Sequence, residues 1–94
     1  MRVSIVQNEI KWGYKADNIA SFDALVKTLY HNTDLVVLPE MFSTGFAVND
    51  PQLSENEGGE AYSKVKQWAN EGNFAVVGSI MTKDGDKYFN RSFF

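Results

Sequence analysis

One carboxylate stands out by its position in the chain. Residues 35–38 are all apolar, and Pro39 and Glu40 follow them directly. A short apolar run bounded by turn signals is typical of a strand buried on both faces, and Pro39 cannot continue a central ladder because it lacks an N–H group. We therefore expect Glu40 just beyond the carboxyl end of a buried strand, where open α/β sheets form their ligand crevices. The alternative is a carboxylate that only caps a loop.

The other reactive side chains restrict the chemistry. The chain has no cysteine, which excludes disulfides, thiolate metal sites and a cysteine nucleophile among these residues. His31 is the single histidine, and we expect it in the last turn of a helix, where an imidazolium suits the helix dipole. The acidic residues Glu55, Glu57 and Glu60 lack the spacing of a calcium loop. We interpret them as a solvated run and predict no metal site.

The composition indicates one small globular domain. The chain has 94 residues, of which 44% are hydrophobic, and a net charge of −3 with scattered Lys and Arg. A nucleic-acid surface would need a clustered basic face, so we expect no nucleic-acid partner. No apolar run approaches the roughly 20 residues of a membrane span, and the amino terminus leads into a strand-like pattern instead of a signal peptide. We therefore expect no membrane contact and a cytoplasmic location.

The hydrophobic pattern predicts alternating strands and helices. Continuous apolar runs indicate strands, and apolar residues at helical spacing indicate two amphipathic helices. We expect strands at residues 2–7, 34–38, 74–80 and 87–94, and helices at residues 17–30 and 60–71. The order β-α-β-α-β-β defines an α/β fold whose first two strands are parallel, as in a right-handed βαβ unit.

Local signals refine the first helix. Asp17 or Asn18 is the expected N-cap, and Asn32 the expected stop. Asp23 and Lys27 form an (i, i+4) pair in the favourable orientation. We interpret this pair as part of a solvated face.

Glycines and turn residues mark the second half of the chain. Gly72 is the expected C′ residue of the second helix, and Gly78 within a strand suggests close approach of a neighbouring backbone. The Lys-Asp-Gly-Asp sequence at residues 83–86 predicts a hairpin, because Asp-Gly tolerates the positive φ angles that tight hairpin turns require. The long segment 41–59 has few structural signals, and loops of this length are often functional.

The last residues bear on completeness. Phe93 and Phe94 end the chain inside an apolar strand, which would leave an adhesive sheet edge exposed. We therefore expect the chain to be a fragment of a longer protein, or to have that edge covered by another chain.

Residues 35–46 read Leu-Val-Val-Leu-Pro-Glu-Met-Phe-Ser-Thr-Gly-Phe. This segment resembles the catalytic-glutamate segment of the nitrilase (carbon–nitrogen hydrolase) superfamily, and most of all its omega-amidase branch. Residues 2–7 (Arg-Val-Ser-Ile-Val-Gln), 76–80 (Val-Val-Gly-Ser-Ile) and 87–91 (Lys-Tyr-Phe-Asn-Arg) agree in order and spacing. The resemblance runs along the whole chain but covers only about the first third of such an enzyme.

The resemblance implies a Glu-Lys-Cys triad that acts on an amide or nitrile carbon without a cofactor. Glu40 is the member that maps onto this sequence, as the general base. The family's lysine and cysteine come later in the chain, and Lys83 and Lys87 lie too early to supply the lysine. We expect Met41 and Phe42 to shield the carboxylate from water.

The resemblance also suggests surroundings for the base. Phe46 is expected to contribute to this shielding and to form a wall of the substrate pocket, with core packing as the alternative. The fold would be part of a four-layer α-β-β-α sandwich, in which residues 1–94 form the amino-terminal part of a single, incomplete domain.

The implied function is that of an omega-amidase-like enzyme. It would hydrolyse the side amide of a small 2-oxo dicarboxylic monoamide, and the complete protein would be a dimer or larger homo-oligomer. The isolated chain is expected to be inactive. Two alternatives stay open: an amidase, carbamoylase or glutaminase domain of the same superfamily, and a non-catalytic α/β interaction module. A nucleotide-binding domain is disfavoured because no Gly-x-Gly-x-x-Gly pattern follows the first strand.

Overall fold

The chain folds into a four-stranded mixed sheet with two helices packed on one face. A computed structural model describes all residues, 1–94. Its elements, in chain order, are β1 (Val3–Ile5), α1 (Lys15–Lys27), β2 (Leu35–Val37), a short 3-10 helix (Pro51–Leu53), α2 (Glu60–Gly72), β3 (Ala75–Asp84) and β4 (Lys87–Phe93). The sheet order is β1-β2-β3-β4, with β1, β2 and β3 parallel and β4 antiparallel to β3. The predicted α/β class and the order of the main elements are confirmed.

The core lies between the helices and one face of the sheet. Val36 and Val76 are partners across β2 and β3, and both are buried against the helices. Because side chains alternate along a strand, Leu35, Val37 and Val77 point to the opposite face, where they are only half-buried. The prediction that residues 35–38 are buried on both faces is therefore wrong for this chain alone, since its helices cover one face.

Three aromatic rings fill the centre of the core. Phe22 of α1 and Trp68 of α2 are fully buried, as is Phe42 from the segment that follows β2. The ring centroids lie 5.5 Å apart between Phe22 and Phe42 and 5.8 Å apart between Phe42 and Trp68. These separations are typical of favourable aromatic pairs. The chain directly after Glu40 is thus anchored between both helices.

The start of α1 differs from the sequence prediction. The helix begins two residues early and has no side-chain cap, and Asp17 lies within its first turn. Asn18 is instead buried inside the molecule. Its side chain accepts from the Lys11 amide at 2.9 Å and donates to the carbonyl oxygens of Lys11 and Ser43 at 2.7 and 2.9 Å. Asn18 therefore joins the loop before α1 to the loop after β2, which a sequence pattern cannot reveal.

Both helices end differently from the prediction. Helix α1 ends at Lys27, well before His31 and Asn32. His31 is exposed, has a left-handed φ of 62°, and donates its backbone N–H to the Gly72 carbonyl at 2.9 Å. It does not lie in the last helical turn. Gly72 is the final residue of α2, and Asn73, with φ of 58°, takes the left-handed position that was expected for Gly72.

The β3–β4 hairpin confirms the turn prediction. Gly85 has φ of 61° between the paired residues Asp84 and Lys87. A Cβ atom at Gly78 would lie 3.0 Å from the Phe93 ring and 3.2 Å from the Leu38 side chain. The close approach expected at Gly78 is present, but side chains make it instead of a backbone. Neither helix is long and apolar enough to cross a membrane.

Candidate active site

Glu40 lies where the sequence predicts, directly beyond the carboxyl end of β2. The last backbone contact of this strand with β3 is the hydrogen bond from the Leu38 N–H to the Val77 carbonyl, 2.9 Å long. Pro39 then ends the pairing because it has no donor, and Glu40 begins a tight turn. The side chain of Glu40 is exposed on the surface of the chain.

The turn after Glu40 has a strained backbone that β3 holds in place. Met41 has a left-handed φ of 46°, which costs about 1–2 kcal/mol for a residue with a Cβ atom. Its N–H donates to the Oγ atom of Ser79 at 2.9 Å, and its carbonyl accepts from the Gly45 N–H at 2.8 Å. Ser79 is buried in β3. Sequence reasoning missed Ser79, although a serine in an otherwise apolar strand was a possible signal.

The carboxylate of Glu40 has one hydrogen-bond partner within the chain. The Nδ2 atom of Asn90 on β4 donates to its Oε2 atom at 2.8 Å, and Glu40 takes part in none of the ion pairs. Asn90 was part of the motif at residues 87–91 but was not singled out as a site residue. The structure thus brings together two residues that are 50 positions apart.

The apolar neighbours of Glu40 do not shield it as expected. Met41 and Phe42 are buried below the turn, so their side chains belong to the interior and leave the carboxylate exposed. Phe46 is 46% exposed and contacts the ring of Trp12 edge-on, with centroids 6.2 Å apart. Phe46 therefore lies outside the core that these residues form. Its role as a pocket wall stays a prediction.

An open, mainly apolar groove of about 410 Å³ lies beside the turn. The segment after Glu40 forms one side of the groove and the β3–β4 hairpin forms the other. Its lining includes Met41, Val48, Met81, Tyr88 and Asn90. Asn90 therefore both borders the groove and contacts Glu40. Glu40 itself does not line the groove, and Asn90 links the groove to the carboxylate.

Glu55 has a structural position that the sequence did not predict. Its side chain is buried and accepts hydrogen bonds from two backbone N–H groups in the first turn of α2, at 2.8 and 3.1 Å. Its other oxygen forms an ion pair with Lys15 of α1. The interpretation of the acidic cluster as solvated holds for Glu57 and Glu60, which are exposed, and is wrong for Glu55.

The backbone of Glu55 extends the sheet where β2 ends. Its N–H donates to the Met81 carbonyl at 3.1 Å, and its carbonyl accepts from the Lys83 N–H at 2.9 Å. The segment that carries Glu40 is therefore attached to β3 at both ends. No group of three or more His, Cys, Asp or Glu side chains lies close enough together to hold a metal ion.

Known proteins resemble this chain along almost its whole length. The chain is 29% identical over 91 residues to the omega-amidase YafV of Yersinia enterocolitica and 28% identical over 90 residues to a 2-oxoglutaramate amidase of Bacillus subtilis. These alignments cover 97% and 94% of the chain but 35% of each relative. The chain thus spans about a third of their length.

The fold recurs in a solved structure. A CN-hydrolase superfamily protein from Xanthomonas campestris, whose structure carries an arsenic adduct in the active site, superposes with a TM-score of 0.92 at 31% identity. The match covers 97% of this chain and 34% of that protein. The family model for carbon-nitrogen hydrolases matches residues 2–94. The order of the strands and the segment around Glu40 agree with this match. The chain therefore belongs to the carbon-nitrogen hydrolase family.

Proposed function

We propose that this chain is the amino-terminal part of an amide-hydrolysing enzyme in which Glu40 acts as the general base. The observation that carries the proposal is the position of Glu40. It follows the carboxyl end of β2, on a backbone turn fixed to Ser79, and one oxygen of its carboxylate has no partner in the chain. A base needs a free lone pair and a fixed position next to the proton that it accepts.

The proposed reaction uses a cysteine that these residues do not contain. A thiol is a weak nucleophile at neutral pH and needs a base to form the thiolate. Glu40 would accept that proton and the thiolate would attack the amide carbon. Glu40 would then return the proton to the amide nitrogen, so that ammonia leaves as the thioester forms and Glu40 is again a base. Glu40 would then accept a proton from water, whose oxygen displaces the thiolate and yields the acid. A lysine cation would stabilise the negative oxygen that develops in both steps.

We propose a small 2-oxo dicarboxylic monoamide as the substrate. The two curated relatives are named an omega-amidase and a 2-oxoglutaramate amidase, which supports this class. The groove beside Glu40 is small and mainly apolar, with Asn90 among its polar groups. Phe46 would line the pocket of the complete enzyme. Another amidase, a carbamoylase or a glutaminase activity of the same family is the alternative that a substrate panel would identify.

The uncovered face of the sheet supports the remaining parts of the proposal. Val3 and Ile5 are exposed there, and Val37 and Val77 are half-buried. We propose that a second sheet from the rest of the domain covers this face in a four-layer α-β-β-α sandwich, in a cytoplasmic enzyme that forms a dimer or larger homo-oligomer. The 94-residue chain alone would be inactive, because it has no cysteine to act as the nucleophile.

The test uses the full-length protein and measures ammonia release from a 2-oxo dicarboxylic monoamide. Glu40→Gln keeps the shape of the side chain but removes the base, so kcat should fall by about 10²–10⁴-fold. Glu9→Gln is the matched control, since Glu9 is exposed and forms no ion pair. Full turnover by the Glu40→Gln variant would exclude Glu40 as the base. The absence of the family's lysine and cysteine from the part of the full-length protein that follows residue 94 would favour a non-catalytic module.

A further inference from the structure

We propose that Asn90 is the positioning residue of Glu40: its side-chain amide orients the carboxylate and leaves the Oε1 atom to accept the proton. This inference rests on the proposed function of Glu40 as a base. The observation behind it is the 2.8 Å hydrogen bond from Asn90 Nδ2 to Glu40 Oε2, the one hydrogen bond that the Glu40 side chain makes in this chain.

The chemistry of the pair suits orientation of a base. A primary amide donates a directional hydrogen bond but carries no charge. An arginine or lysine at this position would form a charge-assisted contact and hold the carboxylate strongly in its ionised form. Asn90 therefore fixes the direction of the carboxylate. A neutral amide also opposes proton uptake by the carboxylate less than a cation at the same position would.

Asn90 itself is held by the sheet. It lies opposite Met81 in an antiparallel ladder that runs from the pair Gly78–Phe93 to the pair Asp84–Lys87. Its backbone position is thus set by β3, whereas Glu40 lies in a turn outside any strand. A residue on a regular element can hold a functional group more accurately than a loop can. The position of the Glu40 side chain thereby depends, through Asn90, on the pairing of β4 with β3.

The same hairpin fixes the backbone beside Glu40. Ser79 of β3 accepts the Met41 N–H at 2.9 Å, and Asn90 of β4 binds the carboxylate. Because side chains alternate along strands, Ser79 and Asn90 lie on the same face of the hairpin, opposite to the helices. The main chain and the side chain of the base are therefore attached to the two neighbouring strands of one hairpin.

The cations of the hairpin do not compete for this carboxylate. Arg91 lies 3.4 Å from Asp84 and 3.6 Å from Glu57, both measured between nitrogen and carboxylate oxygen. The Lys83 ammonium lies 6.0 Å from the centre of the Tyr88 ring. None of the three cations of the hairpin, Lys83, Lys87 and Arg91, forms an ion pair with Glu40. The neutral amide of Asn90 is therefore the group that contacts the carboxylate.

The experiment compares Asn90→Ala and Asn90→Asp in the full-length protein, with ammonia release as the assay. Asn90→Asp should move the acidic limb of the kcat/KM profile to higher pH, because a second carboxylate placed beside Glu40 repels its charge. Asn90→Ala removes the contact without adding a charge, so it tests the positioning alone. Misplacement of the base should lower kcat by about tenfold or more, with KM changed less than about twofold.

Ser92→Ala is the matched control, because Ser92 lies on the same strand and face and has no side-chain hydrogen bond to Glu40. Its acidic limb should stay where the wild-type limb lies. Asn90→Asp keeps the size of the side chain, so its profile decides the outcome if Asn90→Ala folds poorly. An unmoved acidic limb in Asn90→Asp would overturn the inference.

Failure of this inference can be distinguished from failure of the proposed function. If Glu40→Gln abolishes turnover while both Asn90 variants behave as Ser92→Ala does, Glu40 is the base and Asn90 does not position it. If Glu40→Gln retains turnover, the proposed function itself is wrong. Thermal melting of each variant separates these effects on activity from loss of the fold.

Discussion

The indole nitrogen of Trp68 donates a 2.8 Å hydrogen bond to the Oδ1 atom of Asp23, and this bond joins the two helices. Asp23 also pairs with Lys27 at 2.9 Å and lies 3.7 Å from the Lys64 ammonium. The predicted pair of Asp23 and Lys27 is confirmed. Its assignment to a solvated face is wrong for Asp23, whose side chain is only 20% exposed.

Replacement of Trp68 should weaken the contact between the helices. We predict that Trp68→Phe lowers the free energy of unfolding by about 1–3 kcal/mol, because the buried ring shrinks and Asp23 loses a donor. Chemical denaturation of the full-length protein measures this change. Trp12→Phe is the control, since Trp12 is 62% exposed. Equal effects of the two substitutions would contradict a stabilising role for Trp68 and its hydrogen bond to Asp23.

Asp23 should make stability depend on pH in the acidic range. Burial alone would raise the pKa of Asp23, but hydrogen bonds from Trp68 and Lys27, with the nearby charge of Lys64, lower that pKa below its ordinary value of 3.8. A lowered pKa in the folded state stabilises the fold above the unfolded-state pKa. This contribution is lost as the pH falls through the folded-state pKa.

We therefore predict that Asp23→Asn is less stable than the wild type near neutral pH. The difference should shrink as the pH falls below the ordinary value of 3.8 and vanish once Asp23 is protonated in the folded wild type. Denaturation curves at a series of pH values measure this convergence. A difference that stays constant down to acidic pH would show that Asp23 acts by shape and not by charge.

The buried pair of Glu55 and Lys15 should be strongly coupled. We predict that Glu55→Gln destabilises the protein by about 3 kcal/mol, since it leaves the Lys15 ammonium without its counter-charge. The double variant Lys15→Met/Glu55→Gln should recover part of that loss. Glu57→Gln, at an exposed position, should change stability by less than about 0.5 kcal/mol. Strictly additive single and double variants would rule out the coupling.

Gly45 should tolerate alanine less well than Gly85 does. Both have left-handed φ angles, 66° and 61°, so alanine at either should cost about 1–2 kcal/mol. A Cβ atom at Gly45 would also collide with the Trp12 ring, whereas one at Gly85 would meet no atom within 4 Å. We predict a larger loss of thermal stability for Gly45→Ala, reduced to the Gly85→Ala level when Trp12→Ala is added. Equal losses in the two single variants would argue against the collision.

The sequence correctly predicted those features that depend on a few neighbouring residues. The apolar residues before Pro39 gave the end of β2 and the place of Glu40, and the Asp-Gly pair gave the hairpin. Each depends on backbone preferences of a few neighbouring residues. The contact of Asn90 with Glu40 also depends on how β2 pairs with β3, two strands that are far apart in sequence, and no local preference encodes that register.

The misplaced residues share a long-range cause. Asn18 was expected to cap α1, but it binds carbonyl groups in two loops, and Glu55 was expected in solvent, but it pairs with Lys15 on another helix. In each case a hydrogen-bond or ion-pair partner lies elsewhere in the chain. A polar residue whose neighbours in sequence predict exposure is therefore buried. Leu35 and Val37 show the opposite error, since they were expected to be buried but are half-buried. An apolar residue does not reveal which part of a protein covers it.

The attachment of Glu55 to β3 has a consequence for how this enzyme family can diversify. The backbone that follows β2 makes its last hydrogen bond to β3 from Leu38 to Val77. It pairs with β3 again at Glu55, which is bonded to Met81. These attachment points are four residues apart on one strand, about 13 Å at the usual rise per residue. An insertion or deletion within residues 46–54 therefore changes only the part of this segment beyond the turn, while the turn at Met41, the buried Phe42 and the attachment at Glu55 stay in place. Changes of loop length there can reshape the rim of the groove, to which Val48 and Pro51 belong, without displacing the Glu40 carboxylate.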